Sequence, residues 1–360
     1  MISPTKFSMP PLPTGNMYLP AEWHRQAFVQ LTWPHADTDW APMLDEIYEC
    51  YHNMAREISL REPLLIVAQN PDEVQSQLSD LLTHSPYPIH ILQCDTNDTW
   101  ARDHAFLTLI DDNRRILLDY QFNGWGKKFE ALLDNQINKQ IFPFLQQEFK
   151  SMQYRSRLDF VLEGGSIESD GCGTLLTTTS CLLAPNRNEH LSQKQIEQRL
   201  LHDLHAKRIL WLHHGHLAGD DTDGHIDTLA RFCSEDTIAY AQCTDHKDEH
   251  YDDLKLMETE LRTFRTSDGH PYQLVPLPMP EAIYDGSDRL PATYANFLII
   301  NGSVLYPTYR QPANDEKARR QLKKAFPQYE IIGIDSTVLI RQHGSLHCCT
   351  MQYPTLNTKS

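Results

Sequence analysis

Short apolar runs alternate with longer amphipathic segments along the chain, a pattern typical of mixed α/β proteins. The run Leu64–Ala68 has the character of a buried strand, and residues 70–73 after it predict a helix that starts with a capping box. Apolar residues at helical spacing predict a second helix over 39–59. Another capping box, Ser192 with Gln195, predicts the start of a third helix.

Tight β-hairpins are predicted at Asp170-Gly171 and Asn301-Gly302, because these dipeptides tolerate the positive φ angles of two-residue turns. Apolar patterning predicts further strands over 104–110, 116–120, 174–183, 208–212, 237–243, 272–277 and 331–340. The chain has too many hairpins for a purely doubly wound sheet and too many helices for a β-sandwich. We therefore expect one mixed α/β domain over 1–360, with a proline-rich N-terminal arm (1–20) and a short C-terminal tail (355–360).

Composition narrows the classes of function. The 360 residues carry 32 Lys+Arg against 48 Asp+Glu, a formal charge of −16, so the clustered positive charge that binds nucleic acid is not expected. The acidity permits a cationic partner instead. Apolar runs fall far short of the roughly 20 residues that span a bilayer, the N-terminus does not resemble a signal peptide, and the eight cysteines form no Cys-x-x-Cys pair. We expect a cytoplasmic protein with reduced thiols and no membrane contact; the oligomeric state, including a homo-oligomer, is left open.

Four segments concentrate charged, aromatic and thiol side chains. In chain order they are Asp98-Thr99-Trp100-Ala101-Arg102-Asp103, Glu163-Gly164-Gly165, Gly219-Asp220-Asp221-Thr222-Asp223-Gly224-His225-Ile226-Asp227 and His347-Cys348. Taken singly, each also has a structural interpretation: a polar loop, a turn, an acidic loop and a buried, unreactive thiol.

The third segment needs an explanation of its own, because its crowded acids repel one another unless something positive offsets them. A divalent metal is one candidate, with His213, His214 or His216 as further ligands, but neither an EF-hand nor a zinc-site spacing fits. A cationic substrate is the other candidate. In an extended stretch His225 and Asp227 share one face, so both side chains can reach one pocket.

Together and in this order, the four segments resemble the agmatine deiminase / bacterial peptidylarginine deiminase-like family of the guanidino-group-modifying superfamily. Supporting residues include Pro20-Ala21-Glu22-Trp23, Phe122-Asn123-Gly124-Trp125-Gly126, Pro185-Asn186-Arg187-Asn188 and Asn301-Gly302-Ser303-Val304, so the resemblance covers nearly the whole chain. It implies a five-bladed α/β propeller (pentein) of ββαβ units around a central polar pocket. It implies no metal, nucleotide or redox cofactor.

The resemblance also implies catalytic roles for individual residues. Cys348 would be the nucleophile and His225 the general acid and base. Asp103 and Asp227 would clamp the guanidinium nitrogens, and Glu163 would support the same centre. The implied reaction is hydrolysis of agmatine to N-carbamoylputrescine and ammonia through an amidino-cysteine intermediate.

Two further residues are implied to bind the small cationic substrate. Trp100 would line the pocket, and Asp221 would face the cationic end of agmatine. These two join Asp103 and Asp227 as the expected substrate-binding set.

Two loops depart from the family pattern, at His104-Ala105-Phe106 and at His343-Gly344-Ser345-Leu346. Since the second loop shapes the pocket beside the sulfur, free arginine and peptidyl-arginine remain alternative substrates. A metal-dependent hydrolase built on 213–227 and an inactive polyamine-binding protein are the alternatives from other classes. Cys348 is preferred over Cys349 because the family's nucleophile directly follows the histidine.

Overall fold

The computed structural model describes residues 17–356, so most of the predicted N-terminal arm (1–20) and of the tail (355–360) lies outside the described residues. Within that range the strands form five sheets of three or four strands and one two-stranded ribbon. Four of the five sheets consist of two antiparallel strands followed, after a helix, by a third strand parallel to the second. The fold is mixed α/β, as predicted, and is divided among several small sheets.

The first sheet joins the two ends of the described chain. Its strand β1 (Gln26–Thr32) pairs antiparallel with the last strand, Thr350–Pro354, and parallel with β2 (Leu64–Ala68). Strand β3 (Ile89–Gln93) pairs parallel with β2. The helices between these strands are Leu44–Ser59, preceded by a 3₁₀ turn at Ala41–Met43, then Pro71–Gln77 and Ser79–His84. The pairing of β1 with the last strand brings the segment that carries Cys348 back to the N-terminal strand.

The second and third sheets follow along the chain. The second contains β4 (Leu107–Asp111), β5 (Arg114–Gln121) and β6 (Met152–Val161), with the helix Asp134–Phe149 before β6. The third contains β7 (Ile167–Ser169), β8 (Thr174–Thr178) and β9 (Arg208–Leu212), with the helix Gln193–Asp203 before β9. Short helical turns lie at Ala101–His104, Gly124–Lys127, Gly164–Ser166 and Thr179–Leu182.

The remaining strands repeat the same order. The fourth sheet contains β10 (Ala230–Ser234), β11 (Thr237–Gln242) and β12 (Gln273–Pro278), with the helix Tyr251–Thr263 before β12. The ribbon pairs β13 (Tyr284–Asp285) with β14 (Asp288–Arg289). The fifth sheet contains β15 (Leu298–Ile300), β16 (Ser303–Thr308) and β17 (Glu330–Asp335), with the helix Pro312–Ala325 before β17. After 3₁₀ turns at Ile226–Thr228 and Leu339–Gln342, the last strand, Thr350–Pro354, is β18.

Local sequence signals account for several turns and helix starts. The capping box at 192–195 is present, and both predicted hairpins form, with Gly171 and Gly302 at φ of 74° and 76°. Only the second has a two-residue turn, because residues 171–173 separate the paired Asp170 and Thr174 in the first. The helix predicted after residue 70 forms, but the hydrogen bonds of the predicted capping box at 70–73 do not. The Asn70 amide donates to the Glu73 carboxylate instead of accepting from the helix backbone.

Three predicted strands and one predicted helix are shorter than expected. The strand predicted over 104–110 begins only at Leu107, after the helical turn Ala101–His104. The strand predicted over 174–183 ends where the Thr178 side chain accepts from Cys181 N and starts a helical turn. The strand predicted over 331–340 ends where the Asp335 carboxylate accepts from Thr337 N at 3.1 Å. The helix predicted over 39–59 begins at Leu44, after the 3₁₀ turn. In each case a local hydrogen bond or turn replaces one end of the element that the apolar pattern predicts.

The apolar sides of the helices pack against the sheets. The helix Leu44–Ser59, for example, buries Ile47, Tyr51 and Ile58 in the cluster that also contains Leu64. In the part of the chain that the structure describes, no helix is both long and apolar enough to cross a membrane. All eight cysteines are free thiols.

Candidate active site

Five polar residues occupy equivalent places, each just before the strand that begins one of the five sheets. They are Asp103, Glu163, Asp227, Asn296 and Cys348, which precede β4, β7, β10, β15 and β18. All five are buried. The repeated topology therefore places one polar side chain from each sheet in the interior of the protein.

The Cys348 thiol lies among these residues. Its Sγ is 3.4 Å from Asn296 Oδ1 and 3.9 Å from Asp227 Oδ2, and the thiol donates toward the Asn296 oxygen. That oxygen also accepts from the backbone N–H groups of His347 and Cys348, at 2.9 and 3.3 Å, which hold it beside the sulfur. Burial raises the pKa of Cys348 well above its ordinary value, and the charges of Asp227 and Asp103 raise it further. The resting thiol is therefore protonated at neutral pH.

Asp103 is held by two hydrogen bonds near the thiol. Trp125 Nε1 donates to its Oδ2 and Gly165 N donates to its Oδ1, each at 2.9 Å. His225 Nδ1 lies 3.7 Å from Oδ1. Burial raises the pKa of Asp103 to about 6, with His225 opposing this shift and the neighbouring Asp227 charge adding to it. The carboxylate is thus ionised at neutral pH and titrates in the mildly acidic range.

Asp227 has one oxygen bound and the other available. Oδ2 accepts a hydrogen bond from His347 Nδ1 at 2.8 Å, whereas Oδ1 has no hydrogen-bond partner among residues 17–356. Burial acts to raise the pKa of Asp227, but the hydrogen bond and charge of His347 outweigh it, so the pKa lies below its ordinary value. A fully buried, ionised carboxylate oxygen without a partner is costly, and a cation would satisfy it.

His225 is fully buried, and within residues 17–356 neither ring nitrogen makes a hydrogen bond of regular geometry. Burial alone would lower the pKa of His225, but the nearby Asp103 carboxylate and Cys181 thiol raise it well above its ordinary value. Gly165 provides the space beside the ring: a Cβ at that position would lie 2.6 Å from His225 Nδ1 and 2.9 Å from Asp103 Oδ1. The ring is therefore a protonated imidazolium in a crowded interior.

Glu163 is engaged by an arginine from the neighbouring loop. Arg187 Nε lies 2.9 and 3.1 Å from its two carboxylate oxygens. The same guanidinium donates to Asp223 Oδ2 at 2.6 Å and to the Thr222 carbonyl at 2.9 Å. Arg187 thus ties the loop before β7 to the acidic segment 219–227 that carries His225.

A cavity of about 290 Å³ opens onto the thiol of Cys348. Its lining includes four carboxylates and three aromatic rings, which belong to Asp39, Asp98, Asp103, Asp221, Trp100, Trp125 and Phe129. None of its described lining residues is Lys or Arg. Burial raises the pKa of Asp98 and of Asp221 to about 6. Clefts lined by one sign of charge concentrate ligands of the opposite sign, so this cavity favours cations.

A lysine lies close to this cavity but is already paired. Lys128 Nζ is 2.8 Å from Asp223 Oδ1 and also donates to the backbone carbonyl of Asp221. It therefore ties its loop to the acidic segment. Its charge, with that of His343 in the cavity lining, also opposes the raised pKa of Asp221.

Four of the residues singled out from the sequence line this cavity: Trp100, Asp103, Asp221 and Cys348. The other three, Glu163, His225 and Asp227, are fully buried and contact that lining or each other.

Sequence reasoning missed Asn296, Cys181 and the roles of Arg187 and His347. The signal for Asn296 was available, since it stands just before an apolar hairpin strand, as Asp103 does. Arg187 and Cys181 carry no such local signal, because only the tertiary contacts show what they touch.

Two groups of described side chains have donor atoms within 4.8 Å of one another, as a metal ion would need. They are Glu163 with Cys181 and His225, and Glu22 with Glu168 and His347. In each group an arginine already pairs with the carboxylates, Arg187 in the first and Arg231 in the second. The guanidinium supplies the positive charge there. His213, His214 and His216 belong to neither group, and His214 pairs with Glu260 at 3.0 Å.

A buried cysteine thiol, a protonated imidazole and paired carboxylates below an acidic cavity are the groups that a thiol-dependent enzyme for a cationic substrate would need. The comparison with known proteins agrees with this class. The chain belongs to the Porphyromonas-type peptidyl-arginine deiminase family, which it matches over residues 18–354.

Similar proteins extend over almost the whole chain. An agmatine deiminase from Stutzerimonas stutzeri is 31% identical, covering 94% of this chain and 95% of that protein. A solved structure of a C. jejuni agmatine deiminase variant with substrate bound has a TM-score of 0.85 at 38% identity, covering 94% and 96% of the two chains. A Porphyromonas gingivalis structure provisionally named an arginine deiminase has a TM-score of 0.88 at 50% identity, covering 95% and 99%.

Proposed function

We propose that this chain hydrolyses the guanidino group of agmatine, giving N-carbamoylputrescine and ammonia through an amidino intermediate on Cys348. The observation that carries the proposal is the acidic cavity of about 290 Å³ that ends on a buried thiol. Membership of the family and the agmatine deiminase relatives support a hydrolase that acts on a guanidino C–N bond. The cavity lining then favours one guanidine over others.

Asp103 and Asp227 are suited to hold the guanidinium. A guanidinium is planar and permanently charged, and it pairs with carboxylates edge to edge. Asp227 Oδ1 lacks a hydrogen-bond partner within the described residues, and the oxygens of Asp103 can each accept a further bond. Because Cys348 Sγ is 3.9 Å from Asp227 Oδ2, a guanidinium bound between these carboxylates would bring its carbon close to the sulfur.

Substrate binding activates the thiol. Burial and the charges of Asp227 and Asp103 raise the pKa of Cys348, so the nucleophile is protonated before substrate arrives. A guanidinium held by the two carboxylates offsets their charge and adds a positive charge beside the sulfur, which lowers the pKa of the thiol. The thiolate therefore forms in the presence of a cationic substrate, and its proton leaves to solvent, where it combines with the ammonia released in the first half of the reaction.

The reaction then proceeds in two halves. The Cys348 thiolate attacks the guanidinium carbon and forms a C–S bond. His225 donates its proton to one amino group, the C–N bond breaks, and ammonia leaves an amidino-thioether on Cys348. Neutral His225 next takes a proton from water, whose oxygen attacks the same carbon. The C–S bond breaks, and the proton left on the ureido oxygen passes to the departing sulfur, which gives the neutral ureido product, the Cys348 thiol and protonated His225. General acid–base catalysis of this kind contributes a factor on the order of 10²–10⁴ in rate. The proposed reaction steps use no metal, nucleotide or redox cofactor.

The buried Glu163–Arg187 pair supports His225 in this scheme. It fixes the loop before β7 against the acidic segment, so the imidazole stays oriented while its charge changes. Glu163 is accordingly proposed to act behind the ring, out of contact with the cavity.

The far end of the cavity distinguishes agmatine from arginine. Agmatine ends in an ammonium, which Asp221 and Asp98 would attract, with Trp100 packed along its methylene chain. Arginine would bring a carboxylate toward these acids, and none of the described lining residues is Lys or Arg. A peptidyl-arginine would bring only neutral amides, which gain nothing from the carboxylates.

We also propose that the five sheets are the blades of an α/β propeller and that the chain is a single catalytic domain. Three observations support this: the repeated strand order, the equivalent positions of the five polar residues, and the pairing of β1 with β18. The eight free thiols support the cytosol as the proposed compartment.

The test is a substrate panel with the purified full-length chain. Agmatine, arginine and a peptide with an internal arginine are each incubated with the wild type and with Cys348→Ala, and ammonia and ureido product are measured. We expect kcat/KM for agmatine to exceed that for the other two by roughly 10- to 100-fold, since each mismatched charged group costs on the order of 1.5–3 kcal/mol. Ureido product from arginine but none from agmatine would assign the site to the amino acid, as the name of the P. gingivalis relative suggests.

A further inference from the structure

His347, the residue before Cys348, connects the site to a buried ion cluster outside the cavity. Its side chain is 1% exposed. On one edge of the ring, Nδ1 is 2.8 Å from Asp227 Oδ2. On the other edge, Nε2 faces Arg231 Nη2 at 3.0 Å and also contacts the Glu22 carboxylate. One imidazole thus bridges a carboxylate of the site and groups that do not line the cavity.

The ion cluster forms a fixed support for the Nε2 edge. Arg231 is fully buried, lies 2.6 Å from Glu22 Oε2 and pairs with Glu168. Glu22 is in addition 3.2 Å from Arg102 Nη1, so two guanidinium groups hold one carboxylate. Separating a buried ion pair leaves an uncompensated charge, which is strongly unfavourable. The groups around Nε2 are therefore held firmly in place.

The charges around the ring indicate where its proton lies. Burial and the charges of Arg102 and Arg231 lower the pKa of His347, and the Glu22 and Asp227 carboxylates on its two edges oppose this shift. We assign a proton to Nδ1, because the Asp227 carboxylate 2.8 Å from it can only accept a hydrogen bond. Nδ1–H then donates to Asp227 Oδ2, and Oδ1 is the Asp227 oxygen that has no partner among residues 17–356.

We propose that His347 is a positioning residue for the guanidino reaction. By binding Oδ2 of Asp227 it directs Oδ1 toward the substrate and sets the orientation of the guanidinium against Cys348. The inference rests on the proposed function, because it assigns Asp227 to the substrate. His347 itself touches neither the substrate nor the reacting atoms in this role.

Two substitutions separate the two edges of the ring. In His347→Asn the amide occupies the place of Nδ1 and can still donate to Asp227, whereas in His347→Gln the longer amide reaches the place of Nε2. We expect kcat/KM for agmatine in His347→Asn to stay within about tenfold of wild type, and in His347→Gln to fall by on the order of 10²-fold, the size of a 1 Å misplacement. The loss should lie largely in kcat, since the guanidinium still binds but its carbon is displaced from the sulfur. His52→Asn, at a surface histidine 3.1 Å from Asp80, is the control and should match wild type.

Labelling of the thiol provides a readout that does not depend on turnover. Chloroacetamidine, a reactive amidine, should alkylate Cys348 at rates that follow the order wild type, His347→Asn, His347→Gln. Equal losses in the two variants, or a smaller loss in His347→Gln, overturn the proposal and assign the ring to packing against the ion cluster. If the wild type is labelled but does not hydrolyse agmatine, the proposed function fails, and the labelling order still decides the role of His347.

Thermal unfolding completes the comparison. Each variant loses the contacts of one ring nitrogen: His347→Gln loses the contact to Asp227, and His347→Asn loses the contacts to the ion cluster. If His347 had only a structural role, the less stable variant would also be the less active one. We expect His347→Asn, which loses its contacts to the ion cluster, to have the lower Tm and the higher activity of the two. Activity that falls in step with Tm across both variants contradicts a positioning role.

Discussion

Arg187 and Glu163 form a fully buried ion pair, in which the guanidinium Nε lies 2.9 and 3.1 Å from the two carboxylate oxygens. The same arginine reaches Asp223 and the Thr222 carbonyl. Two loops that are distant in sequence are thereby joined behind His225. A cation provided by the chain itself offsets part of the acidity that the segment 219–227 concentrates.

Removal of this arginine should destabilise the fold and the site together. Arg187→Gln leaves the Glu163 carboxylate buried without its partner, and we expect the free energy of unfolding to fall by roughly 3–5 kcal/mol. Chemical denaturation measures the change. The double variant Glu163→Gln/Arg187→Gln should recover part of that stability without recovering activity, because the unpaired charge is gone but the loops remain untied. Equal stability of the single and double variants would show that the buried charge is not the cause.

The backbone at Gly165 should tolerate no side chain. Gly165→Ala would place a Cβ 2.6 Å from His225 Nδ1, 2.9 Å from Asp103 Oδ1 and 3.1 Å from Asp227 Oδ2. Since displacements of about 1 Å cost on the order of 10²-fold, kcat/KM for agmatine should fall by at least that factor. Gly269→Ala is the matched control: its Cβ meets nothing within 4 Å, although its φ of +89° should cost about 1–2 kcal/mol of stability. A fully active Gly165→Ala enzyme would contradict the crowded geometry around His225.

The two adjacent cysteines should behave differently. Cys348→Ala removes the nucleophile and should reduce kcat by as much as about 10⁶-fold, the scale seen when other enzymes lose theirs. Cys349→Ser should keep most of the activity, because Cys349 is buried outside the cavity and its thiol donates to the Ser345 carbonyl. Mass spectrometry after chloroacetamidine treatment should find the label on Cys348 alone. Labelling of Cys349 would reverse the assignment of the nucleophile.

Activity should fall on the acidic side near pH 6. Burial raises the pKa of Asp103 to about 6, and burial together with Asp220 raises that of Asp221 to about 6. Only the ionised carboxylates hold a cation, so kcat/KM for agmatine should decrease as the pH falls through this value. Because both Asp103 and Asp221 take up a proton there, the decrease should be steeper than that for a single group. Asp221→Asn should make the decrease shallower and raise KM at pH 8. An acidic limb centred near pH 4 would show that these carboxylates keep their ordinary pKa values.

Local structure and the main catalytic candidates could be predicted from the sequence. The strand at 208–212, the hairpins at 170–171 and 301–302, and the capping box at 192–195 follow from preferences that act over a few residues. The motif that ends in Cys348 is likewise contiguous, so resemblance to a family could identify it. These features depend on neighbours in the chain.

Only the tertiary structure decided which groups complete the site. Asn296 meets the sulfur across 52 residues of chain, and His347 meets Asp227 across 120 and Glu22 across 325. Such contacts depend on how β1, β18 and the other strands pair, which no local propensity specifies. Burial is also a tertiary property. It raises the pKa of Asp103, and it would raise that of Asp227 too if the hydrogen bond from His347 did not lower it. The amino-acid types of the site were therefore evident from the sequence, whereas their partners and protonation states follow from the packing of the whole chain.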